Sequence, residues 1–516
     1  MPKVPKRSSL SEQRYLIKTK TGKAAHERAL RLFAMEHGMK KKKLSTLLVG
    51  MLLLLWLAPS AWAADSTDLQ EIRRQIEEMK KDYESRIHEL EARLQKAEEA
   101  AGQTPTSTPA PTSTASNGNT ADNKNTNTAS AAEVVPVAAG APASTNAFNP
   151  DISLILSGTY AHLSQNPNGY QITGFMPGGD IGTGPRSFNL GESELGISAN
   201  IDPWFYGAFN LSFDSENNAS IEEAFLQTTA LPAGVKIKAG RFYSGVGYLN
   251  EQHSHTWDFV DSPLVYQAFL GSQFHNDGAQ LKWLLPTDQF IELGMEAGLG
   301  NSFPATDNNS NGVGVFTAFA HTGGDVGDSN SWRAGVSYLH ADPQNRTYEA
   351  ANVANSMVDN AFSGASDLFI GDFVWKWAPN GNGERTNFKL QGEYFYRREA
   401  GDLAYDTSGL DHTGNYLSRQ SGWYLQGVYQ FMPAWRVGLR YDQLYGGTVH
   451  YGDNQAYLAP TNYDPHRATL MFDWSPSEFS RIRLQFAQDR SRQNLTDYQV
   501  YLQYQMSLGA HGAHIF

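Results

Sequence analysis

The sequence predicts an all-β fold, a 16-stranded antiparallel transmembrane β-barrel, and three observations carry that prediction. Segments of about ten residues alternate apolar and polar side chains from residue 151 onward. Every second connection between them is short and most of the others are long. Aromatic residues gather beside the short connections.

The alternation is clearest at 498–508. Tyr498, Val500, Leu502, Tyr504, Met506 and Leu508 share one face; Gln499, Tyr501, Gln503, Gln505 and Ser507 share the other. Successive strand residues point to opposite sides, so one face is apolar and one largely polar. In a soluble sandwich the apolar face would cover a core; in a membrane barrel it meets lipid. Alternation alone fits both.

The connections separate the two. Strands are predicted at 151–161, 190–201, 205–214, 220–230, 234–242, 277–285, 289–299, 312–321, 331–340, 367–378, 386–397, 421–431, 435–444, 466–474, 479–489 and 498–508. Six of the seven short connections hold proline: Pro203, Pro232, Pro286, Pro379, Pro433 and Pro476. Proline cannot donate to a ladder and so punctuates strand ends. The long connections include 162–189, 243–276, 341–366, 398–420 and 445–465. Short turns at one rim and long loops at the other are the asymmetry of outer-membrane barrels. An even strand number returns both ends to the short-turn, periplasmic side. Trp204, Phe205, Phe290, Trp375, Trp377, Phe431, Trp435, Trp474 and Phe479 flank the short turns. Amphipathic rings favour the membrane–water interface, so these form a girdle at one rim. The chain ends in Phe516, on the parity of the apolar face of the last strand.

Composition removes several function classes. The 516 residues include no cysteine, which excludes disulfide frameworks, cysteine metal sites and thiol nucleophiles. A formal charge of −12 argues against a nucleic-acid partner. The low mean hydropathy argues against a helical membrane protein. One run is strongly apolar: Lys40 to Lys43 precede Leu44 to Leu57, and Ala61-Trp62-Ala63 follows. Basic head, short apolar core and small-residue tail predict a secretory signal peptide cleaved after Ala63; the run is short for a membrane anchor. Translation is expected to start at Met35 or Met39. Leu69, Ile72, Ile76, Met79 and Tyr83, then Ile87, Leu90, Leu94 and Ala97, recur at three- and four-residue spacings with one skip. That pattern predicts a self-associating coiled coil in the periplasm, with a lone amphipathic helix as the alternative. Residues 101–148, rich in Thr, Pro, Ala, Ser and Asn, read as a disordered linker. The organisation is therefore 1–63 N-terminal extension and signal peptide, 64–100 coiled coil, 101–148 linker and 149–516 barrel.

Across roughly 149–516 the sequence resembles the porin superfamily, particularly its phosphate-selective porin-like branch. The residues carrying the resemblance are FNPDISLILSGTY, LGESELGISANIDPWFYGAFNLSFD, EEAFLQT, KAGRFYSGVGYLNEQHSHTWDFVD and the ending SLGAHGAHIF. The chain also resembles envelope proteins sometimes labelled zinc-regulated TonB-dependent receptors. A periplasmic coiled coil ahead of a porin barrel is similar in organisation to the sugar-specific porins, which implies a homotrimer. The resemblance implies a passive outer-membrane channel for small hydrophilic solutes or ions, surrounded by the lipid bilayer and lipopolysaccharide, with peptidoglycan as a further partner of the coiled coil.

If apolar side chains face lipid, their neighbours face the lumen. The pore-lining basic candidates are Lys236, Lys238, Lys282, Arg436, Arg440, Arg467, Arg481 and Arg483; the acidic candidates are Glu192, Glu194, Glu223, Glu292 and Glu296. The two signs nearly balance. A phosphate channel needs a continuous basic ladder, and acidic residues interrupt this one, so a weakly selective pore with a wet lumen fits as well.

Loop 243–276 is expected to fold inward and narrow the pore, setting selectivity together with the lumen charges. Its His253, His255, Asp258 and His275 are metal-ligand candidates, because imidazole and carboxylate together suit zinc or another borderline divalent ion. A metal-related uptake role is thus one alternative. No resident cofactor is otherwise expected. Trp257, Phe259, Val260, Leu264 and Phe269 point instead to a loop packed against the barrel with incidental histidines. No enzymatic activity is expected: Ser, His and Asp occur in this loop, but no motif sets a nucleophile beside a base.

Overall fold

The computed structural model describes residues 150–509, apart from 180, 216–217 and 307–310, together with Lys81. The signal peptide, the coiled coil (apart from the helical Lys81), the linker and Phe516 lie outside the described residues.

Eighteen strands form one antiparallel sheet that closes when β1 (Asp151–Leu163) pairs with β18 (Asp497–Gly509). β2 (Ser187–Leu190) and β3 (Ser193–Asn200) both pair with β1 and share one position in the ring. The ring continues through β4 (Phe205–Phe213), β5 (Ala219–Thr228), β6 (Val235–Tyr243), β7 (His275–Leu284), β8 (Phe290–Gly298), β9 (Val315–Val326) and β10 (Asn330–Ala341). β10 pairs directly with β12 (Met357–Trp377), while the short β11 (Arg346–Ala351) pairs with the start of β12 as a flank. β13 (Asn387–Tyr405), β14 (His412–Met432), β15 (Trp435–His450), β16 (His466–Ser477) and β17 (Ser480–Arg490) complete the wall. Merging β2 with β3 and setting β11 aside leaves the predicted sixteen staves.

The wall is taller on one side than the sequence predicts. β12 and β14 each run for 21 residues, β13 for 19 and β15 for 16, where a bilayer requires about 9–11. The added segments alternate, but their outer face is mixed: in β14 it carries Thr413, Asn415 and Arg419 with Leu417 among them. That mixture is why 398–420 reads as a loop. The strands continue beyond the apolar band on ladder hydrogen bonds, up to the pair Tyr405–His412, and on an inward cluster that buries Phe362, Leu403, Tyr405 and Tyr416. Pro476 lies inside β16 rather than in a turn, where the pairing with β17 slips between Trp474 and Ser477.

The outer face is apolar across the ring. Leu439 is 63% exposed, Leu226 50% and Leu502 48%, values that a water-soluble sheet would avoid over so wide a surface. Trp204, Phe205, Phe431, Trp435, Trp474 and Phe479 are exposed beside the short turns. Trp435 and Trp474 face each other across β15 and β16 with ring centroids 5.9 Å apart.

The inner face is only partly polar. Helix α1 (Leu264–Leu270) is buried along its whole length. It packs on Leu339, Leu368, Ile370, Phe395, Tyr424 and Leu444 of the wall. Apolar residues on this arc thus face protein, which corrects the expectation that every inward position meets water. Gly422 and Gly438 point inward and let the loop approach: a Cβ would come within 2.9 Å of Val265 and 3.2 Å of Phe259.

Candidate functional site

The segment between β6 and β7 folds into the barrel and is held at three places, each by inward side chains of a different arc. At its start, Glu296 accepts from the Ser244 hydroxyl (2.5 Å) and the Gly245 amide (2.9 Å). Glu393 accepts from the Tyr248 and Leu249 amides (3.1 and 3.2 Å) and from the hydroxyls of Tyr266 and Tyr424. Lys282 pairs with Glu251 at 2.6 Å, and this pairing, against the opposing effect of burial, lowers the Glu251 carboxyl to about 2.

The middle of the segment is clasped by the arginines of β15–β17. Asp258 pairs with Lys389 and with Arg436, the latter at 3.1 Å. Asp261 pairs with Arg440 at 2.8 Å and Arg467 at 2.5 Å, and accepts from Gln485 at 2.9 Å. Backbone carbonyls are taken up too. Arg481 donates to His255 O, Arg483 to Trp257 O, Arg440 to Asp261 O and Arg467 to Ser262 O, at 2.6–2.7 Å. Gln485 accepts from the Val260 amide and Asp442 from the Leu264 amide. An extended chain has no partner for its own amides and carbonyls, so this wall supplies one polar group after another. Arg436, Arg440, Arg467, Arg481 and Arg483 do point inward, as the alternation predicts, but lie beneath the loop rather than against open lumen. Lys236 is exposed and Lys238 is half-buried, its ammonium 4.4 Å from the Phe225 ring.

Burial alone would raise the carboxyl groups of Asp258 and Asp261. Lys389 and Arg436 around the first, and Arg467 and Arg440 around the second, outweigh burial and hold both below the usual carboxylate range. A depressed folded-state pKa contributes stability that is fully present above the unfolded value, about 3.9, and is lost as pH falls through the folded value. Thermal midpoints should therefore stay flat in the clasp's contribution from neutral pH down to about 4 and decline only below it. A melting series against pH checks this, and a decline that begins at pH 6 would contradict it.

The third anchor is a histidine–glutamate cluster on the arc β3–β5. His253 Nδ1 lies 3.3 Å from Glu194 and 3.2 Å from Glu222; its Nε2 lies 3.0 Å from Glu223 and 3.2 Å from Asn210. His255 Nδ1 lies 2.9 Å from the other oxygen of Glu194. The two rings stack at 5.6 Å. Burial would lower the His253 imidazole, but Glu194, Glu222 and Glu223 overcome it and raise it well above its ordinary value.

Of the metal-ligand candidates, His253 and His255 come together here with Glu194. Asp258 does not join them, because Lys389 and Arg436 hold it elsewhere on the wall. His275 begins β7, with its ring 6.5 Å from Tyr243. Glu192 sits in the break between β2 and β3 within hydrogen-bonding reach of Glu222 and Ser254. Glu292 faces His321 at 3.2 Å. Glu222 was not among the candidates, since strict alternation places it on the lipid side next to Glu223. A bulge between β4 and β5, where Asn210 pairs with Glu223 and Leu211 with Ile221, turns both glutamates inward. Two consecutive glutamates in one transmembrane strand are the readable signal for such a bulge, because one of them would otherwise meet lipid.

No family model matches the chain. Among solved structures it is similar to the outer membrane channel DcaP of Acinetobacter baumannii (13% identity, 71% of this chain and 99% of that one, TM-score 0.44). It is also similar to OmpF of Salmonella typhi in complex with daunomycin (12%, 71% and 99%, 0.42) and OprB of Pseudomonas putida (14%, 70% and 94%, 0.39). An uncharacterized protein of Aquifex aeolicus (strain VF5) is 30% identical over 402 residues, spanning 73% of this chain and 81% of that protein, and the chain belongs to the family of that protein.

Proposed function

We propose that the chain is a passive outer-membrane channel of the porin type for small hydrophilic solutes or ions, narrowed by its own segment 244–274. One observation carries this reading: a closed ring of sixteen staves, apolar outside and charged inside, with an inward segment fixed by ion pairs on one arc. An apolar exterior with a closed ladder is the β-solution to crossing lipid. A segment held to the wall narrows the lumen, and what passes depends on the side chains left beside it.

Weak selectivity fits better than phosphate selectivity. The arginines that would form a ladder for a dehydrating anion are already engaged by Asp258, Asp261 and loop carbonyls. Both ring nitrogens of His253 face carboxylates or an amide, which favours an anchoring role over that of a catalytic base. In this reading the barrel is a homotrimer in lipid and lipopolysaccharide, with its coiled coil in the periplasm beside peptidoglycan.

The test is single-channel recording in planar bilayers with reversal potentials under salt gradients, using phosphate, sugars and zinc as competitors. Discrete conductance steps with a modest reversal potential are expected. A correctly folded barrel that never conducts would defeat the proposal, and a strongly anion-selective reversal potential would restore the phosphate reading.

A further inference from the structure

We propose that Glu194, His253 and His255 form a binding site for a divalent cation of the zinc class, with Glu222 and Glu223 as flanking carboxylates. The site goes beyond the channel reading and does not depend on conduction.

Three observations support it. The first is convergence: one ligand atom from each of Glu194, His253 and His255 lies within 4.8 Å of the other two. The two oxygens of Glu194 lie 3.3 and 2.9 Å from the Nδ1 atoms of His253 and His255. Ligands on a tetrahedral ion with bonds of about 2.0–2.1 Å stand about 3.3 Å apart. A cation can thus enter by displacing the bridging protons with small shifts of side chains.

The second is charge. Glu194, Glu222 and Glu223 are buried, at 7–8% exposure. Among the described residues their ion-pair partners are the imidazoles of His253 and His255, with no lysine or arginine. Two imidazoles balance at most two of the three carboxylates, with Glu222 also hydrogen-bonded to the Glu192 carboxyl, whereas Asp258 and Asp261 of the neighbouring clasp each have two basic partners. Buried charge is normally paired or bound to metal.

The third is construction. His253 and His255 flank one residue in the loop, and their rings stack so that both present Nδ1 to the same carboxylate. The β5 bulge brings a further carboxylate to each face of His253: Glu222 to Nδ1 and Glu223 to Nε2. Imidazole with carboxylate selects zinc, copper, nickel or cobalt over calcium and magnesium, which prefer oxygen alone. A cation here would tie the inward segment to β3, beside the arginine clasp, whose Arg481 already takes up the His255 carbonyl.

Zinc titration by calorimetry of the full chain in detergent tests the site without a bilayer, so its outcome is separable from that of the conductance experiment. One zinc per chain is expected, with calcium and magnesium not competing. Glu194→Gln and the double change His253→Ala/His255→Ala should abolish binding. Glu222→Gln should weaken it by about 10–100-fold, as loss of a supporting carboxylate does. His450→Ala, at an exposed histidine elsewhere, should leave it unchanged. Circular dichroism and resistance to unfolding in SDS establish that each variant is folded. Where one is not, the wild-type chain loaded with cobalt decides, because imidazole in the metal's shell is read directly by X-ray absorption. No zinc uptake by the wild type, no imidazole in the shell, or folded Glu194 and histidine variants that bind as the wild type does would each overturn the proposal.

Discussion

Replacing Asp261 with alanine should raise the single-channel conductance and lower the stability of the barrel by about 3–5 kcal/mol, the usual cost of removing one partner from a buried ion pair. Asp261 holds Arg440 with one carboxylate oxygen and Arg467 with the other. Both arginine side chains are 1% exposed. Without Asp261 they share Asp442, and Arg467 keeps a longer contact of 4.0 Å to Asp489. Gln485 also loses its acceptor. Two buried guanidinium groups then favour drawing in water or anions, and the segment around Val260 keeps only its backbone ties to Gln485 and Arg483 of β17. Asp261→Asn should sit between, because an amide oxygen still accepts from one arginine but carries no charge. Planar-bilayer recording and thermal melting read the two effects separately. If both are unchanged in Asp261→Ala, the clasp does not hold the constriction.

The barrel was legible because its signal is local. Parity along 435–444 and the prolines at the turns need no knowledge of distant residues, and the closed ring agrees with them. The upper parts of β12–β15 were not legible, because outside lipid the outer face has no reason to be apolar, and alternation is the only strand signal used. The site was half legible. His253 and His255 stand out in the loop, and Glu194 stands on the inward parity of its strand. That they meet depends on where the loop comes to rest, and nothing local encodes a contact such as Arg467 to Ser262 across 205 residues. Inward parity likewise puts Arg436, Arg440, Arg467, Arg481 and Arg483 on the inner face but cannot tell open lumen from the underside of a loop. Complementarity was the signal available: aspartates at 258 and 261 in the loop match the basic stripe of β15–β17 in sign.

Leu439→Arg should destabilise the chain by about 2–4 kcal/mol in lipid, the cost of a basic side chain at the midplane of a barrel's outer face. Leu439 is 63% exposed on β15, between Gly427 of β14 and Leu470 of β16. It lies four residues from Trp435 at the aromatic rim, or about 13 Å along the strand at the usual rise, near the middle of the apolar band. In a water-soluble protein an arginine at so exposed a position would change stability by no more than about 0.5 kcal/mol. The adjacent position reverses the logic. Arg440→Leu should be costly in any solvent, because it strips Asp442 and Asp261 of a buried partner. Denaturant unfolding in phospholipid vesicles measures both. A Leu439→Arg barrel that inserts and unfolds like the wild type would mean that this face does not meet lipid. A loss at 439 that appears in vesicles, together with a loss at 440 that persists in detergent, would assign one face of the strand to the bilayer and the other to the clasp.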